Sequence, residues 1–350
     1  MRYVHVIPNT AFVEAYIKLI NKKLNFKEHL FIIVGKGFIH KNDFSNVILI
    51  DKITKATYFI SLIRKIQRCE KIIFHGLFNK NLIIASYFTI ISPNSLKKSY
   101  WGIWGGDLYR YKERKNNILN CILEIIRKRI IKNISGLITQ VRGDYELAQE
   151  WYNTKGKFHY CFMYPSNLFK EYDIEKSEST NPKVVIQIGN SAAPSNNHIE
   201  IFEKLQKHKN ENIEIVCPLS YGNSTYRQAV IVKGKEIFGH KFKPLTEFMP
   251  FDDYLQLLSK IDIAIFNHKR QQAMGNITTL LGLGKKVYIR EEITTWHFCI
   301  DHDLKVYSAN GDYDDLFEEM DEDIKQKNVE NVKTKFSEKK LVEDLMNIFE

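Results

Sequence analysis

Three short loops in this sequence gather the residue types that hold anions, stack on flat rings or move protons. The first, Gly189-Asn190-Ser191-Ala192-Ala193-Pro194-Ser195-Asn196-Asn197-His198, follows the apolar run Val184-Val185-Ile186-Gln187-Ile188 and precedes a helical pattern. A strand, a loop of small residues and a capped helix start aim backbone amides and a helix dipole at a phosphate. A plain strand-to-helix turn with good capping residues is the other reading. The second loop runs from Phe266 to Thr278, again between a strand pattern and a helix pattern. Its Lys269, Arg270, Gln272 and Asn276 offer cations and amides that would close a diphosphate site with Gly189, Asn190 and Ser191; a polar surface loop is the alternative. The turn Cys217-Pro218-Leu219-Ser220-Tyr221-Gly222 belongs on the same rim, where Tyr221 would stack on a base or sugar.

The third loop is Tyr100-Trp101-Gly102-Ile103-Trp104-Gly105-Gly106-Asp107-Leu108-Tyr109. Gly105 and Gly106 allow close backbone approach, Trp104 and its aromatic neighbours suit sugar stacking, and Asp107 is placed to take a proton from a hydroxyl. The bland reading makes Asp107 the cap of the next helix. Phe74-His75-Gly76 ends another strand on this rim, making His75 the second base candidate, with a structural histidine as its alternative. Arg142-Gly143-Asp144 either holds an anion or caps its helix, with Arg142 and Asp144 pairing. Tyr164-Pro165-Ser166 reads as a hinge. No G-x-x-x-x-G-K-[ST] occurs, which excludes a P-loop ATPase or GTPase, and no G-x-G-x-x-G follows a first strand, which argues against a dinucleotide dehydrogenase.

Such loops need strands to carry them, and the chain supplies them. Short apolar runs alternate with helical patterns along all 350 residues, the mark of parallel α/β units. Strands are expected at Tyr3–Ile7, Leu30–Val34, Val47–Ile50, Lys71–His75, Lys98–Trp104 and Gly136–Gln140. After a polar stretch they resume at Lys183–Ile188, Ile213–Cys217, Val230–Ile231, Ile261–Phe266, Lys286–Ile289 and Leu304–Tyr307. Helices are expected at Thr10–Asn21, Thr54–Cys69, Asn79–Ile91, Asn116–Lys132, His198–Lys207, Asp252–Leu258, Thr278–Leu283 and Glu338–Phe349. This divides the chain into residues 1–165, a linker 166–182, residues 183–330, and a C-terminal segment 331–350 that packs back toward the first domain. Two such domains would face each other across a cleft at the carboxyl ends of their strands.

The net charge of +10 favours anionic partners such as a nucleotide, nucleic acid or an anionic membrane. Five scattered cysteines form neither a disulfide framework nor a zinc site and point to a reducing compartment. The first residues read as a strand rather than a signal peptide, and the apolar stretch Ile83–Ile91 is too short to span a membrane. Together these features lead us to expect a soluble, cytosolic protein. The segment 110–132 interleaves Arg110, Lys112, Arg114, Lys115, Arg127, Lys128, Arg129 and Lys132 with Ile118, Leu119, Ile122, Leu123, Ile125, Ile126 and Ile130. That basic amphipathic pattern suits docking on an anionic membrane; a helix packed on the sheet with a solvated basic face is the alternative. No RNP-like, helix-turn-helix or zinc-knuckle pattern appears, so nucleic acid is not an expected partner.

The segments HGLFNKNL, YWGIWGGDLY, RGDYELA, GNSAAPSNNHIE, FDDYLQLLSKIDIAIF and KRQQAMGNITTLLGLGKKV, in this order, resemble glycosyltransferase family 56 from about His75 to Ile289. The resemblance implies a GT-B fold of two Rossmann-like domains, metal-independent chemistry without a cofactor, and a donor nucleotide in the C-terminal domain. It implies transfer of 4-acetamido-4,6-dideoxy-galactose (Fuc4NAc) from a dTDP-sugar to an undecaprenyl-diphosphate-linked glycan, as in enterobacterial common antigen assembly. That places the protein peripherally on the cytoplasmic face of the bacterial inner membrane. Position by position, it matches Gly189, Asn190, Ser191, Arg270 and Gln272 on the donor side. On the acceptor side it matches His75, Gly76, Trp104, Gly105, Asp107, Arg142 and Asp144. The sequence departs from the family pattern at Gly106, where Ala is expected, and at Gly275-Asn276-Ile277-Thr278. Two rivals are a transferase of the same fold using a UDP-sugar for capsule or O-antigen, and a non-enzymatic polyanion-binding protein.

Overall fold

A computed structural model describes residues 1–40, 43–50, 66–78, 84–85, 93–114, 117–170 and 183–350. Most of the expected helices Asn79–Ile91 and Thr54–Cys69, and linker residues 171–182, lie outside the described residues. The chain divides into two compact units: unit 1 is Met1–Ser166 with Glu338–Glu350, and unit 2 is Asn167–Ser337.

Among the described residues, unit 1 holds seven strands: β1 (Tyr3–Pro8), β2 (His29–Val34), β3 (Val47–Ile50), β4 (Lys71–His75), β5 (Ser99–Gly102), β6 (Gly136–Thr139) and β7 (Lys157–Tyr160). Their order is β3-β2-β1-β4-β5-β6-β7, and every pairing is parallel. Residues of β1 and β2 are buried on both faces, as a parallel sheet covered on each side requires. Unit 2 contributes β8 (Val184–Ile188), β9 (Ile213–Pro218), β10 (Phe242–Leu245), β11 (Ile263–Phe266), β12 (Lys286–Ile289) and β13 (Tyr307–Ser308). These lie in the order β10-β9-β8-β11-β12-β13, again all parallel. Each sheet reverses direction of growth once, between β1 and β4 in unit 1 and between β8 and β11 in unit 2. A crevice opens at such a switch point, beyond the carboxyl ends of the strands.

Three expectations need correction. The pair Val230–Ile231 is not a strand but the middle of the helix Ser224–Phe238, which Asn223 caps by accepting from the Tyr226 amide and Gly239 ends with φ 56°. The edge strands β7 and β10 were missed because they are short and partly exposed, and β10 carries Pro244, which an edge strand tolerates. The boundary at 331 cuts the helix Glu322–Lys335. Asn328 of that helix accepts from the Lys305 amide at 2.8 Å, which ties it into unit 2. The helix Glu338–Phe349 is the segment that returns to unit 1. It buries Leu341, Leu345 and Ile348, sets the Phe349 ring 4.9 Å from Tyr3, and takes a 2.7 Å hydrogen bond from Lys71 Nζ on the Ile348 carbonyl.

Candidate active site

In unit 2 the loops after β8 and β11 flank the switch point, and side chains lace them together. Gln272 Nε2 donates to Asn190 Oδ1 at 3.2 Å, Ser195 Oγ donates to Gln272 Oε1 at 2.6 Å, and Asn190 Nδ2 donates to Tyr221 Oη at 2.9 Å. The structure therefore brings Asn190, Tyr221 and Gln272 into one network, with Tyr221 itself 56% exposed. Beneath the loop, Asn196 is fully buried. It accepts from the Asn190 amide at 2.8 Å and from His268 Nε2 at 3.1 Å, and donates to Ser191 Oγ at 3.2 Å. Gly189 adopts φ +67°, and a Cβ there would lie 2.5 Å from His198 Nε2, so the turn is closed to any side chain.

That packing corrects one expectation. The amides of the Gly189 loop are largely spent inside the fold: Gly189 N–H donates to Ile265, Asn190 to Asn196, and Ala192 to Tyr221. The side chains of Asn190 and Ser191 are buried as well, bonded to Tyr221, Gln272 and Asn196. Orphan amides lie instead at the start of the helix Met274–Gly282, where intrahelical bonds do not reach the first turn. Ala273, at φ 61° and ψ 23°, opens that helix without a side-chain cap. A non-glycine residue there costs about 1 kcal/mol. Half-buried Arg270 and exposed Lys269 precede it in the chain. Asn276 and Gln187 lie beside the hydroxyl of Tyr254, whose pKa burial raises.

In unit 1 the rim is differently made. Asp107 is fully buried, and both of its oxygens are occupied. Leu77 N–H and Trp101 Nε1–H donate to Oδ2 at 2.7 and 2.6 Å, and Trp104 N–H donates to Oδ1 at 3.0 Å. Burial pushes its pKa up, while these donors and nearby Arg127 hold it back. The carboxylate thus pins the turn after β4 to the turn after β5 and is turned away from solvent, which corrects the expectation of a proton-abstracting base at the surface. His75 is fully buried as well, and burial lowers its pKa to about 3. It meets the rim through Tyr164: His75 Nδ1 lies 2.6 Å from Tyr164 Oη, which also accepts from Trp104 Nε1 at 2.8 Å. Gly76 (φ +73°) packs against Phe78 and Trp104, so its lost side chain makes room for the aromatic rim. Gly105, also at positive φ, accepts from the Tyr109 amide, and the Gly106 amide donates to the Trp104 carbonyl at 2.9 Å.

Arg142 and Asp144 do not pair with one another. Arg142 is exposed and bonds Glu146 at 3.2 Å on its own helix, whereas Asp144 is buried in that helix's first turn. Phe12, which flanks Trp104 at a ring distance of 5.0 Å, was not singled out from sequence, and Tyr164, at 5.8 Å, was read there only as part of a hinge. Asn196, His198, Tyr254 and His268 were not singled out either. Only the strand order puts them at the two switch points, although the positive-φ pattern Gly189…Asn197 hints at a shaped loop. Among the described residues no group of three or more His, Cys, Asp or Glu side chains is arranged to hold a metal ion.

The family model of the 4-alpha-L-fucosyltransferase glycosyl transferase group 56 matches residues 7–337. Among solved structures the chain is similar to WaaG, a glycosyltransferase involved in lipopolysaccharide biosynthesis, at 10% identity over 100% of this chain and 99% of that one, with TM-score 0.65. It is also similar to HepE of Anabaena in complex with UDP and glucose, at 10% identity, 99% coverage of both chains and TM-score 0.69. The sucrose-phosphate synthase of Thermosynechococcus elongatus matches at 9% identity over 100% of this chain and 98% of that one, with TM-score 0.69.

Proposed function

Since the chain belongs to the glycosyl transferase group 56 family and is a glycosyltransferase of GT-B fold, we propose that it transfers Fuc4NAc, or a close sugar, from a dTDP-sugar to an undecaprenyl-diphosphate-linked oligosaccharide in bacterial surface polysaccharide synthesis. The observation that carries the reading is the switch-point network Tyr221–Asn190–Gln272–Ser195 beside an uncapped helix start. The helix dipole, its first amides and Arg270 would meet the charge of the departing diphosphate without a metal or cofactor. Asn190, Ser191 and Gln272 would orient the diphosphate or sugar, and Tyr221 would stack on the base. In unit 1 the rim of Trp104, Phe12 and Tyr164 would receive the acceptor sugar.

A thermal-shift panel of dTDP, UDP, GDP and ADP tests the donor. The expected result is stabilisation by dTDP above the others, unchanged by EDTA, followed by turnover of dTDP-Fuc4NAc with a polyprenyl-diphosphate-linked acceptor. A preference for UDP would overturn the donor while leaving the transferase. Arg270→Ala is expected to weaken dTDP binding roughly 10- to 100-fold, the worth of a charge-assisted contact. Unchanged affinity in titration calorimetry would remove Arg270 from the site.

We further propose that the protein works peripherally at the cytoplasmic face of the inner membrane, seated by the helix Ile118–Asn133. This helix leaves Ile118, Leu119, Ile122 and Ile125 between 50% and 82% exposed, with exposed Lys128, Arg129 and Lys132 further along. Apolar side chains followed by cations suit the boundary of an anionic bilayer. Arg127 does not join them: it is buried, bonded to Glu124 at 2.6 Å, and donates to the Leu77 carbonyl at 3.3 Å. Arg110 lies over the Phe78 ring and Lys112 over Trp151, and Lys115 lies outside the described residues. No helix among the described residues is long and apolar enough to cross a membrane. Ile118→Ser with Ile125→Ser is expected to cut binding to vesicles containing phosphatidylglycerol by tenfold or more, each lost side chain removing about 1–2 kcal/mol. Sedimentation that is indifferent to the double change would sink the membrane seat.

A further inference from the structure

Three histidines lie diagonally on one face of the unit 1 sheet. His5 of β1 pairs in register with Phe31 and Ile73, so His29, two residues before Phe31, and His75, two residues after Ile73, share its face. Their rings are bonded in series: His75 Nε2 to His5 Nδ1 at 3.1 Å, and His5 Nε2 to His29 Nδ1 at 3.1 Å. At the carboxyl end the series continues from His75 Nδ1 to Tyr164 Oη at 2.6 Å. At the amino end His29 lines an open pocket of about 340 Å³ with Arg2, Glu28 and Glu350.

The polarity of this chain follows from its ends. An indole N–H only donates, so Trp104 Nε1 takes one lone pair of Tyr164 Oη. The buried phenol then finds an acceptor when its O–H points at His75 Nδ1. His75 Nε2–H donates to His5 Nδ1, and His5 Nε2–H donates to His29 Nδ1. Every donor points from the rim toward the pocket, and Tyr164, 7% exposed, keeps a second lone pair on Oη.

We propose that Tyr164, His75, His5 and His29 form a proton relay that carries the proton of the attacking acceptor hydroxyl through the sheet to water in the pocket beside Glu28. This rests on the transferase reading above. As the acceptor oxygen bonds the anomeric carbon, the bond from that carbon to the nucleoside diphosphate breaks and its electron pair leaves with the diphosphate. The acceptor proton passes to Tyr164 Oη, whose own proton moves to His75 Nδ1. His75 Nε2–H moves to His5, His5 Nε2–H moves to His29 Nδ1, and His29 releases its Nε2 proton to water. Burial lowers the pKa of all three rings, to about 3 for His75 and about 4 for His29. They therefore rest as neutral imidazoles, the form that passes protons by exchanging tautomers. Tyr164 is the residue that touches substrate; the histidines act through it.

Wild-type transfer of Fuc4NAc from dTDP-Fuc4NAc is measured first, and its absence across a nucleotide-sugar panel counts against the transferase reading alone. With turnover established, Tyr164→Phe and His29→Gln are expected to lower kcat at least tenfold at unchanged donor KM, with a larger solvent deuterium isotope effect. His29→Gln, at the pocket end, keeps a hydrogen-bonding side chain and is checked for folding by its melting temperature. Unchanged kcat and isotope effect in folded His29→Gln would overturn the relay. Independently of turnover, long-range 1H–15N spectra of the full chain should show all three rings protonated on Nε2, and protonation on Nδ1 of His75 or His5 would overturn it as well.

Discussion

Asp107→Asn is expected to lower the melting temperature of unit 1 by about 2–12 °C while leaving dTDP binding by unit 2 within a factor of about two. The carboxylate is fully buried and accepts three hydrogen bonds, all from groups that can only donate. An amide cannot replace it. If its nitrogen takes the Oδ1 position it faces the Trp104 N–H; if it takes Oδ2 it faces both Leu77 N–H and Trp101 Nε1–H. Either way a buried donor is orphaned and an amide N–H is pressed against another donor. Each orphan costs about 1–3 kcal/mol, and one kcal/mol shifts the melting point of a domain of this size by about 2–4 °C. Turnover should fall too, because Trp104, one of the three donors, also positions Tyr164. The measurement is differential scanning calorimetry beside dTDP titration. An unshifted melting temperature with abolished turnover would restore Asp107 as a proton-abstracting base.

The contrast between Asp107 and Asn190 shows what the sequence made legible. Both follow strands and sit among glycines, and both were singled out for residue type and position. Alternating apolar runs revealed nearly every central strand, because strands buried on both faces read as short unbroken hydrophobic segments. From those strands the switch-point loops followed. Chemistry at a loop depends further on which groups the fold consumes. Gly189 and Asn190 seemed to offer amides, but Ile265 and Asn196 had already taken them. The Asp107 carboxylate was likewise taken by Leu77, Trp101 and Trp104. Such partners lie up to 76 residues apart in sequence, as Gly189 and Ile265 do, and no local pattern announces them. The histidine series is the extreme case: His5, His29 and His75 align only once the order β2-β1-β4 and its register are known. Family resemblance fared better because the order of six segments carries information that no single loop holds.

Acid should loosen unit 2 by about 2.5 kcal/mol between pH 7 and pH 4.5, and His75 pulls unit 1 the same way. His75 in unit 1 and His198 in unit 2 are buried and neutral, each with its pKa lowered to about 3 by loss of solvent. In the unfolded chain a histidine titrates near 6.5, so at pH 4.5 the unfolded state holds a proton that the folded site refuses. A depressed folded pKa means the stability is fully present above about pH 6.5 and is lost as pH falls toward the folded value near 3. The two-unit interval from 6.5 to 4.5 is worth about 2.7 kcal/mol for one such group. His5 and His29 share the series with His75, so they are not counted separately; His268, also depressed, sits beside His198. Asp107, its pKa raised by burial, works in the opposite sense in unit 1, which makes unit 2 the cleaner test. Its transition should fall by about 5–10 °C between pH 7 and pH 4.5. His198→Asn keeps a group near the Tyr226 hydroxyl that His198 Nδ1 meets at 3.3 Å and removes the titration, so it should flatten that dependence. If unit 2 melts at the same temperature at both values, His198 is not the buried neutral ring the structure describes.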